Sequence, residues 1–547
     1  MSSLTIRNLS ITPLQLVQIE RFEANAIQQY NGWTGVVFGL LRAPYDYFTG
    51  CGTNPAGGST GNGLEPRAGA PATTTDAVAD VHLAPFSTTR TAVKLPDPAS
   101  EVMRLTFHAD FGTGTAHKTY TVDVPAASPR SIELRPVEGQ EPSAEEGGMV
   151  AGQDLRKAAV ASFTAVYTAA SAHLVILSSA ALDQWMSTVD GSWPLSSLSL
   201  PGTHNSPAFH YALPSVRCQA VDVRTQLDNG VRFLDVRVSV NPPKQPHADP
   251  RLVLVHSVFP VALLGAHTFR ELYDAVCGFL DAHPTETVLV SIKREGLGKG
   301  TDADLARQLL NHYTGRSADL NKERSAAEPG SRRNEGDAGA KPEPWRWFTE
   351  SRIPSLDEAR GRIVLIRRFG LPDEDDFKQL HDGGGWGLDG SIWPDNCEDG
   401  LCGTDQMRLQ DFYGVLQTTT IDTKINYVRG LLASSASATH CKIGHASATN
   451  IPPLYINFLT GSNFFNMRCW PENVAARVNP SVIEYLCVQH GEAALESLHD
   501  GQTSGGGGGG GGDGSTGIVV TDWVGHRGDW DLLRCIVAWN ARLQLKQ

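Results

Sequence analysis

Residues 197–210 read SLSLPGTHNSPAFH, and this stretch decides the fold class that we predict for the chain. Its first leucines indicate a short buried strand, which stops at Pro201-Gly202. The loop that follows presents Thr203, His204, Asn205 and Ser206 one after another. A histidine at the end of a buried strand is expected to be exposed and held in place.

Two later stretches have the same form. GVRFLDVRVSV (230–240) carries Asp235 and Arg237 near its end, and RLVLVHS (251–257) ends on His256. Each is a β-rich run with polar residues at its C-terminal end, which is where α/β barrels place their chemistry. We therefore expect these side chains to meet at one rim.

Strands and helices then alternate along the chain. TFRELYDAVCGFLDAHP (268–284) is an amphipathic helix stopped by Pro284, ETVLVSIKRE (286–295) is a strand, and DADLARQLLNHYTG (302–315) is a helix. GRIVLIRRFG (361–370) and GIVVTDWVG (517–525) are later strands. This rhythm predicts an α/β fold with a parallel sheet.

Four motifs in this order, GTHNS, FLDVRV, LVLVHS and ETVLVSIKRE, resemble the X domain of phosphatidylinositol-specific phospholipase C, in its bacterial-like, metal-independent branch. The resemblance runs from about Leu182 to the C-terminus. It implies a distorted TIM-like (β/α) barrel. It also implies a phosphodiesterase that cleaves phosphatidylinositol, or a related inositol phospholipid, to diacylglycerol and a cyclic inositol phosphate.

The resemblance assigns catalytic roles. His204 is the general base that takes the proton of the inositol 2-hydroxyl, and His256 is the general acid that protonates the diacylglycerol oxygen. Arg237 holds the non-bridging phosphate oxygens, and Asp235 orients it. Asp522 lies behind His204 and fixes its tautomer.

The resemblance also implies a set of residues that contact the substrate headgroup: Asn205, Lys293, Arg368, Asp411 and Tyr413. Arg367 is the alternative to Arg368. The Asp411–Tyr413 pair could instead be a helix start with a half-buried tyrosine.

Asn205 departs from the bacterial pattern, which has aspartate there. Calcium-dependent eukaryotic members of the family carry asparagine at that position as a metal ligand. They also have acidic residues where this chain has Arg237 and Lys293, so a calcium cage would be filled with cations. We expect no metal and no cofactor.

The N-terminal third lies outside the resemblance. It repeats short alternating runs such as VMRLTFHADFG and HKTYTVDVP, which predict half-buried strands. We therefore predict a β-sandwich-like accessory domain over 1–180, followed by the barrel over 181–547. Loops are predicted at 51–75, 317–344 and 504–517 from their Gly-rich or charged composition.

The composition bounds the partners and the compartment. A net charge of -13 argues against nucleic acid and against strongly anionic membranes as general partners. The nine cysteines are scattered without metal-ligand spacing, so most are expected to be reduced and packed. No leader or long apolar run is found, which predicts a cytoplasmic protein, with peripheral contact to a phospholipid surface and the oligomeric state left open.

Two other functions stay open. The chain could be a catalytically weak phosphoinositide-binding module, which Asn205 favours and the pair of histidines disfavours. It could also be a metal-dependent phosphodiesterase for another lipid headgroup, which Arg237 and Lys293 disfavour.

Overall fold

The structure is a computed structural model. It describes residues 3–24, 66, 70–97, 100–111, 118–124, 131–137, 162–242, 251–314, 346–374, 377, 380–383, 385–444, 451–492 and 512–546. The predicted loop 317–344 lies outside these residues, as do most of the predicted loop 51–75 and residues 504–511 of the predicted loop 504–517.

Strands make up most of the described part of residues 3–178. They are β1 (Ser3–Leu9), β2 (Leu14–Glu23), β3 (Thr74–Leu83), β4 (Ser87–Lys94), β5 (Glu101–Ala109), β6 (Lys118–Val124), β7 (Ser131–Glu133), β8 (Arg135–Pro136), β9 (Phe163–Thr168) and β10 (His173–Ser178). They form two five-stranded sheets, ordered β4-β1-β10-β9-β7 and β3-β2-β5-β6-β8. Apolar side chains of both sheets, such as Ile6 and Phe107, share one buried cluster, so the sheets pack face to face.

The remaining strands form one large sheet. They are β11 (Leu200–Thr203), β12 (Phe233–Ser239), β13 (Val253–His256), β14 (Phe259–Pro260), β15 (Val288–Arg294), β16 (Trp347–Phe348), β17 (Ile363–Arg368), β18 (Leu388–Asp389), β19 (Gly400–Cys402), β20 (Met407–Gln410), β21 (Leu454–Phe458) and β22 (Ile518–Thr521). The main path runs β16-β17-β15-β12-β11-β22-β21-β20-β19. Neighbours from β16 to β20 are parallel, which confirms the α/β class.

Helices follow many of these strands. They are α1 (Val223–Asp228), α2 (Phe269–Ala282), α3 (Asp302–His312), α4 (Leu356–Ala359), α5 (Thr420–Ala436), α6 (Pro471–Val488) and α7 (Asp531–Ala538). The N-terminus of α2 is closed by a capping box between Thr268 and Glu271, and the helix ends just before Pro284. Among the described residues, no helix has the length and apolar content to cross a lipid bilayer.

The segment LVLVHS is not a parallel strand of the barrel, as the strand-end argument had assumed. Strand β13 pairs antiparallel with β12, Val238 opposite Leu254, and then antiparallel with β14. A parallel neighbour would need a crossover connection, whereas this antiparallel pairing makes β13 the returning arm of a hairpin with β12. His256 therefore reaches the rim from a hairpin beside the barrel.

The large sheet curls without closing in the described part of the chain, where β16 and β19 end the path and do not pair with each other. The curl is visible in the contacts of Trp393. The guanidinium carbon of Arg368, in β17, lies 3.8 Å from the centre of its ring, and its Nε1 donates to Asp411 after β20 at 2.9 Å. One side chain thus bridges strands on opposite sides of the sheet.

The N-terminal sheets pack tightly against the part of the chain that contains the large sheet. The buried guanidinium of Arg7 in β1 donates to the carbonyl oxygens of Cys487 at 3.0 Å and His490 at 2.7 Å, at the end of α6. Phe86 packs on Trp539, with ring centres 6.0 Å apart, and belongs to the main apolar cluster of the barrel. The two parts therefore share a core.

Candidate active site

His204 stands directly after β11, which lies between β12 and β22 in the sheet. Its backbone N–H donates to the carbonyl of Thr521 at 3.0 Å, so its position is tied to the end of β22. Gly202 permits this packing, because a Cβ there would lie 2.9 Å from the ring of Phe233. The short motif thus fixes the first histidine by close strand contact.

Asp522 lies behind His204, as the resemblance implied. Its Oδ1 is 3.0 Å from Nδ1 of His204, and its side chain is almost fully buried. Burial raises the pKa of the Asp522 carboxyl, although the histidine opposes this shift. A carboxylate in this place holds the Nδ1–H tautomer of His204 and leaves Nε2 with its lone pair.

Gln219 braces this pair, although no sequence motif predicts it. Its fully buried amide nitrogen is 2.7 Å from the carbonyl of His204, 3.0 Å from that of Thr521 and 3.4 Å from Oδ1 of Asp522. Because it contacts both segments, it fixes their separation.

His256 faces His204 across a short gap. The ring centres are 5.4 Å apart and the planes are nearly perpendicular, at 80°. Nδ1 of His256 is 3.1 Å from the carbonyl of Val216, which can accept its proton. Burial lowers the pKa of His256 to about 3, with further lowering by Arg237 and His204.

His204, His256 and Asp522 are each followed by a non-glycine residue whose backbone lies in the left-handed region. The φ angles are 37° at Asn205, 54° at Ser257 and 59° at Trp523. Such backbone is costly for residues with a Cβ, by about 1–2 kcal/mol, and tends to cluster at functional sites. The chain turns sharply after His204, His256 and Asp522, so each side chain is presented at a fixed angle.

Arg237 lies among carboxylates. Its guanidinium is 3.2 Å from Oδ2 of Asp235, through Nε, and 3.4 Å from Oε1 of Glu295, through NH1. Burial alone would lower the pKa of Arg237, but Asp235, Glu295 and Asp411 raise it. The arginine is therefore charged and held in one orientation.

Asp235 is saturated with donors. Oδ2 also accepts from the N–H of Asn205 at 3.1 Å, and Oδ1 accepts from Arg368 at 3.2 Å. Burial would raise the pKa of this carboxyl, but Arg237 and Arg368 outweigh it and hold the pKa below its usual value. Asp235 is thus a fixed anion between two arginines.

Glu295, the last residue of the motif ETVLVSIKRE, is a further acid at the site that the sequence prediction did not include. Its Oε1 is 2.6 Å from Nζ of Lys293, and its Oε2 accepts from the N–H of Ser257 at 2.9 Å. Burial raises the pKa of Glu295, but Arg237 and Lys293 lower it to about 2. Glu295 thereby ties β15 to the turn after His256.

Register distinguishes Arg368 from its neighbour Arg367. Arg237, Lys293 and Arg368 lie side by side on β12, β15 and β17. Arg367 points to the opposite face, where its Nε donates to the carbonyl of Trp386 at 3.1 Å and its NH2 is 2.9 Å from Asp389. Arg368 is thus the arginine that reaches Asp235.

Asp411 and Tyr413 lie after β20 in a stretch without helix or strand, and not at a helix start. Asp411 is buried and accepts from Trp393. The Tyr413 ring is 45% exposed, and its hydroxyl donates to Asp395 at 2.8 Å. That bond, aided by burial, raises the pKa of Tyr413 to about 12.

Asn205 is completely buried, at 0% exposure. Its Nδ2 donates to the carbonyl of Val255 at 3.1 Å, and its Oδ1 has no hydrogen-bond partner within the described part of the chain. Its contact with substrate stays a prediction, whereas its observed contact joins the two histidine-bearing segments.

Comparisons with known proteins identify relatives of this chain. The chain is 24% identical over 326 residues to a 1-phosphatidylinositol phosphodiesterase of Staphylococcus aureus (strain Newman), a match that spans 58% of this chain and 87% of the relative. The chain is a homologue of the bacterial phosphatidylinositol phosphodiesterases. No model of a known protein family matches it.

Two further proteins are similar to parts of this chain. PI-PLC X domain-containing protein 1 of Homo sapiens is 31% identical over 163 residues, which is 24% of this chain and 48% of the human protein. A solved pentafluoro-Phe form of the Staphylococcus aureus phosphatidylinositol-specific phospholipase C has a TM-score of 0.45 and 21% identity, covering 65% of this chain and 97% of that chain.

Three more residues at the candidate site were absent from the sequence prediction. Trp393 stacks on Arg368, Cys218 lies beneath His256, and the fully buried Lys424 donates to the carbonyl of Phe412 at 2.7 Å. Burial lowers the pKa of Lys424 to about 7. These residues come from loops and a helix without a recognisable motif, so their placement depends on the fold.

Proposed function

We propose that this chain is a phosphodiesterase that cleaves phosphatidylinositol, or a related inositol phospholipid, to diacylglycerol and a cyclic inositol phosphate. The observation that carries the proposal is the pair of histidines, with ring centres 5.4 Å apart, one backed by a buried carboxylate and the other close to the charge of Arg237. The relationship to the bacterial phosphodiesterases supports the same reaction class.

In the proposed reaction His204 is the general base. With Nδ1–H donated to Asp522, Nε2 accepts the proton of an inositol hydroxyl, and that oxygen attacks the phosphorus to form the cyclic diester. The bond from phosphorus to the glycerol oxygen breaks, and protonated His256 gives its proton to the leaving oxygen. Arg237 neutralises the non-bridging oxygens as charge develops on them.

We propose that this reaction needs no metal. A calcium site requires carboxylate oxygens with free lone pairs. Both oxygens of Asp235 accept from cationic or N–H donors, and both oxygens of Glu295 accept from Lys293, Arg237 or a backbone N–H. The local positive charge of Arg237, Arg368 and Lys293 takes the place that an ion would fill.

One observation favours the second candidate function, a weak or inactive phosphoinositide-binding module. The pKa of His256 is lowered to about 3, so the ring is neutral near pH 7 and cannot donate a proton before substrate binds. A phosphate anion beside the ring would raise this pKa, as opposite charges do. Catalysis therefore depends on how far the bound diester raises the pKa of His256.

An exposed apolar rim supports a lipid substrate. Phe464 stacks on Phe259 with ring centres 6.4 Å apart, and Phe465, at 93% exposure, contacts Phe464. Leu416 is also exposed, and its carbonyl accepts from Asn463 at 2.9 Å. This rim lies beside the turn after His256, so it would meet a bilayer with the site facing the headgroups.

We also propose that residues 1–180 form an accessory domain and that the motifs of 181–547 suffice for the chemistry. The proposed catalytic residues all lie in the second part. The contacts of Arg7 with the end of α6 support a bracing role for the first part.

The decisive experiment incubates the full chain with phosphatidylinositol vesicles in excess EDTA and follows the products by phosphorus NMR. We expect a cyclic inositol phosphate, and its loss in His204→Ala and His256→Ala. Binding to vesicles without any product would overturn the enzymatic proposal in favour of the binding module. Activity that requires added calcium would overturn the metal-independent mechanism.

A further inference from the structure

Cys218 lies at the centre of the site, and the proposed reaction does not use it. The residue is fully buried, and its Sγ is 3.6 Å from Nδ1 of His256. Its backbone is held on both sides, because its N–H donates to Ala208 and its carbonyl accepts from Trp523, each at 2.9 Å. The sulfur therefore has a fixed position against the proposed acid.

The sulfur and the two histidines together resemble a metal-ligand set. One imidazole nitrogen of His204, one of His256 and the Sγ of Cys218 all lie within 4.8 Å of one another. In a tetrahedral zinc site with ordinary bond lengths, nitrogen and sulfur ligands are separated by about 3.6 Å. The distance between Cys218 and His256 already matches that separation.

His204 has the second contact that metal-bound histidines usually have. Its Nδ1 is 3.0 Å from Oδ1 of Asp522, which leaves Nε2 for an ion. Such an acceptor fixes the ring orientation of a ligand and raises its basicity. In His256 the nitrogen beside Cys218 is Nδ1, which also lies 3.1 Å from the carbonyl of Val216, so the ion would take the place of that hydrogen bond.

The charges around the sulfur suit a cation. The charged groups that act on Cys218 include three acidic side chains, those of Asp522, Asp235 and Glu472, and one cation, Arg237. Soft thiolate and imidazole ligands select zinc-like ions, whereas calcium requires oxygen ligands. A soft ion can therefore bind beside a centre whose carboxylates are saturated by arginine and lysine.

We propose that His204, Cys218 and His256 form a binding site for a soft divalent cation of the Zn²⁺ type, with an open fourth position. When the ion binds, the Cys218 thiol loses its proton to solvent and the thiolate becomes a ligand. A second statement rests on the proposed function. If the chain is the proposed phosphodiesterase, the ion inhibits it by binding to His204 and His256 together.

The binding test does not depend on activity. Zn²⁺ is titrated into the purified full chain in competition with a chromophoric chelator, and Co²⁺ is used as a spectroscopic probe for the thiolate ligand. We expect one site per chain and a thiolate-to-cobalt charge-transfer band. Cys218→Ala and Cys218→Ser should lose the band and lower Zn²⁺ affinity by more than ~100-fold, since removal of an outer contact alone costs 10–100-fold.

The matched control is Cys441→Ser, because Cys441 is an exposed free cysteine. This variant should keep the band and the affinity. Equal Zn²⁺ binding by the wild-type chain and Cys218→Ala would overturn the site, as would a band that disappears with Cys441 instead. Melting curves without metal show whether each variant is folded.

The inhibition test adds Zn²⁺ to the phosphodiesterase assay. Inhibition that is reversed by EDTA and weakened in Cys218→Ala supports the second statement. Tight binding through Cys218 with undiminished turnover would overturn it while leaving the site intact. A chain that binds Zn²⁺ through Cys218 but never cleaves phosphatidylinositol would refute the proposed function and not the metal site.

Discussion

Asn205 donates a hydrogen bond of 3.1 Å from Nδ2 to the carbonyl of Val255, the residue before His256. The segment that carries the proposed base is thereby joined to the hairpin that carries the proposed acid. An aspartate, which the bacterial pattern has at this position, could make this bond only in its protonated form. This hydrogen bond is a structural reason for asparagine at position 205 in this chain.

Asn205→Asp should destabilise the fold by about 1–3 kcal/mol, because a buried donor is replaced by a carboxylate that faces a carbonyl and lies near Asp235. The same charge should raise the pKa of His256. Urea unfolding measures the first effect, and NMR titration of the His256 ring measures the second. Asn205→Ala loses the bond without adding charge, so it should share the destabilisation and leave the ring pKa unraised.

Asp522→Asn should lower kcat by about 10³–10⁴ with little change in KM, because an amide can hold His204 in the wrong tautomer. A short-chain soluble substrate separates this effect from membrane binding. The half-buried Asp389, which pairs with Arg367 on the other face of the sheet, provides the control, and Asp389→Asn should retain kcat. Full activity of Asp522→Asn would remove Asp522 from the mechanism.

The class of fold and the first histidine could be predicted because their determinants are local. The run LSLPGTHN contains a strand, its stop and the polar loop within a few residues. Strand periodicity and register likewise place Arg237 beside Lys293. Nothing local distinguishes the hairpin of His256 from a barrel strand, because both have the same apolar run.

The rest of the site depends on contacts between distant parts of the chain. Gln219 reaches Asp522 across 303 positions, and Trp393 is placed by the curl of the sheet. Cys218 lies in a segment without periodicity, where a cysteine indicates packing as readily as chemistry. Glu295 was within a quoted motif, but its role depends on the turn after His256, which only the fold reveals.

Arg368 and Arg367 are adjacent in sequence, and their side chains lie on opposite faces of the sheet. They therefore form a matched pair of variants. Arg368→Ala should lower kcat/KM by about 10- to 100-fold, since a charge-assisted contact to the substrate and to Asp235 is lost. Arg367→Ala should leave kcat/KM unchanged and lower the free energy of unfolding by about 1–3 kcal/mol through its lost bonds to Trp386 and Asp389. The reverse pattern would show that Arg367 is the headgroup residue.

Phe465→Ser should weaken vesicle binding by roughly tenfold or more, because a nearly fully exposed ring can no longer enter the bilayer. Activity on a monomeric short-chain substrate should not change. Val137→Ser is the control, since Val137 is an exposed apolar residue in the N-terminal sheets, away from the rim. If both variants sediment with vesicles less than the wild-type chain and to the same extent, the rim has no role in vesicle binding.

The chain should lose stability in mild acid, and His490 is a specific source of that loss. The ring is buried, Nδ1 has no partner among the described residues, and Nε2 is 3.2 Å from the carbonyl of Gly514. Burial lowers the pKa of His490 to about 3, with further lowering by Arg7 and Arg542. The unfolded chain, with an ordinary histidine pKa near 6.5, therefore binds more protons between these two values.

Because the unfolded state takes up the extra proton, the free energy of unfolding should fall as the pH drops from about 6.5 to about 3, with a slope of up to about 1.4 kcal/mol per pH unit from this residue. His490→Gln keeps a donor for Gly514 and removes the titration. Urea midpoints measured from pH 7 to pH 4 should therefore decline less steeply in this variant. His173 is a half-buried histidine in the N-terminal sheets, so His173→Gln controls for the loss of a histidine as such. An identical decline in His490→Gln and wild type would assign the acid sensitivity to other groups.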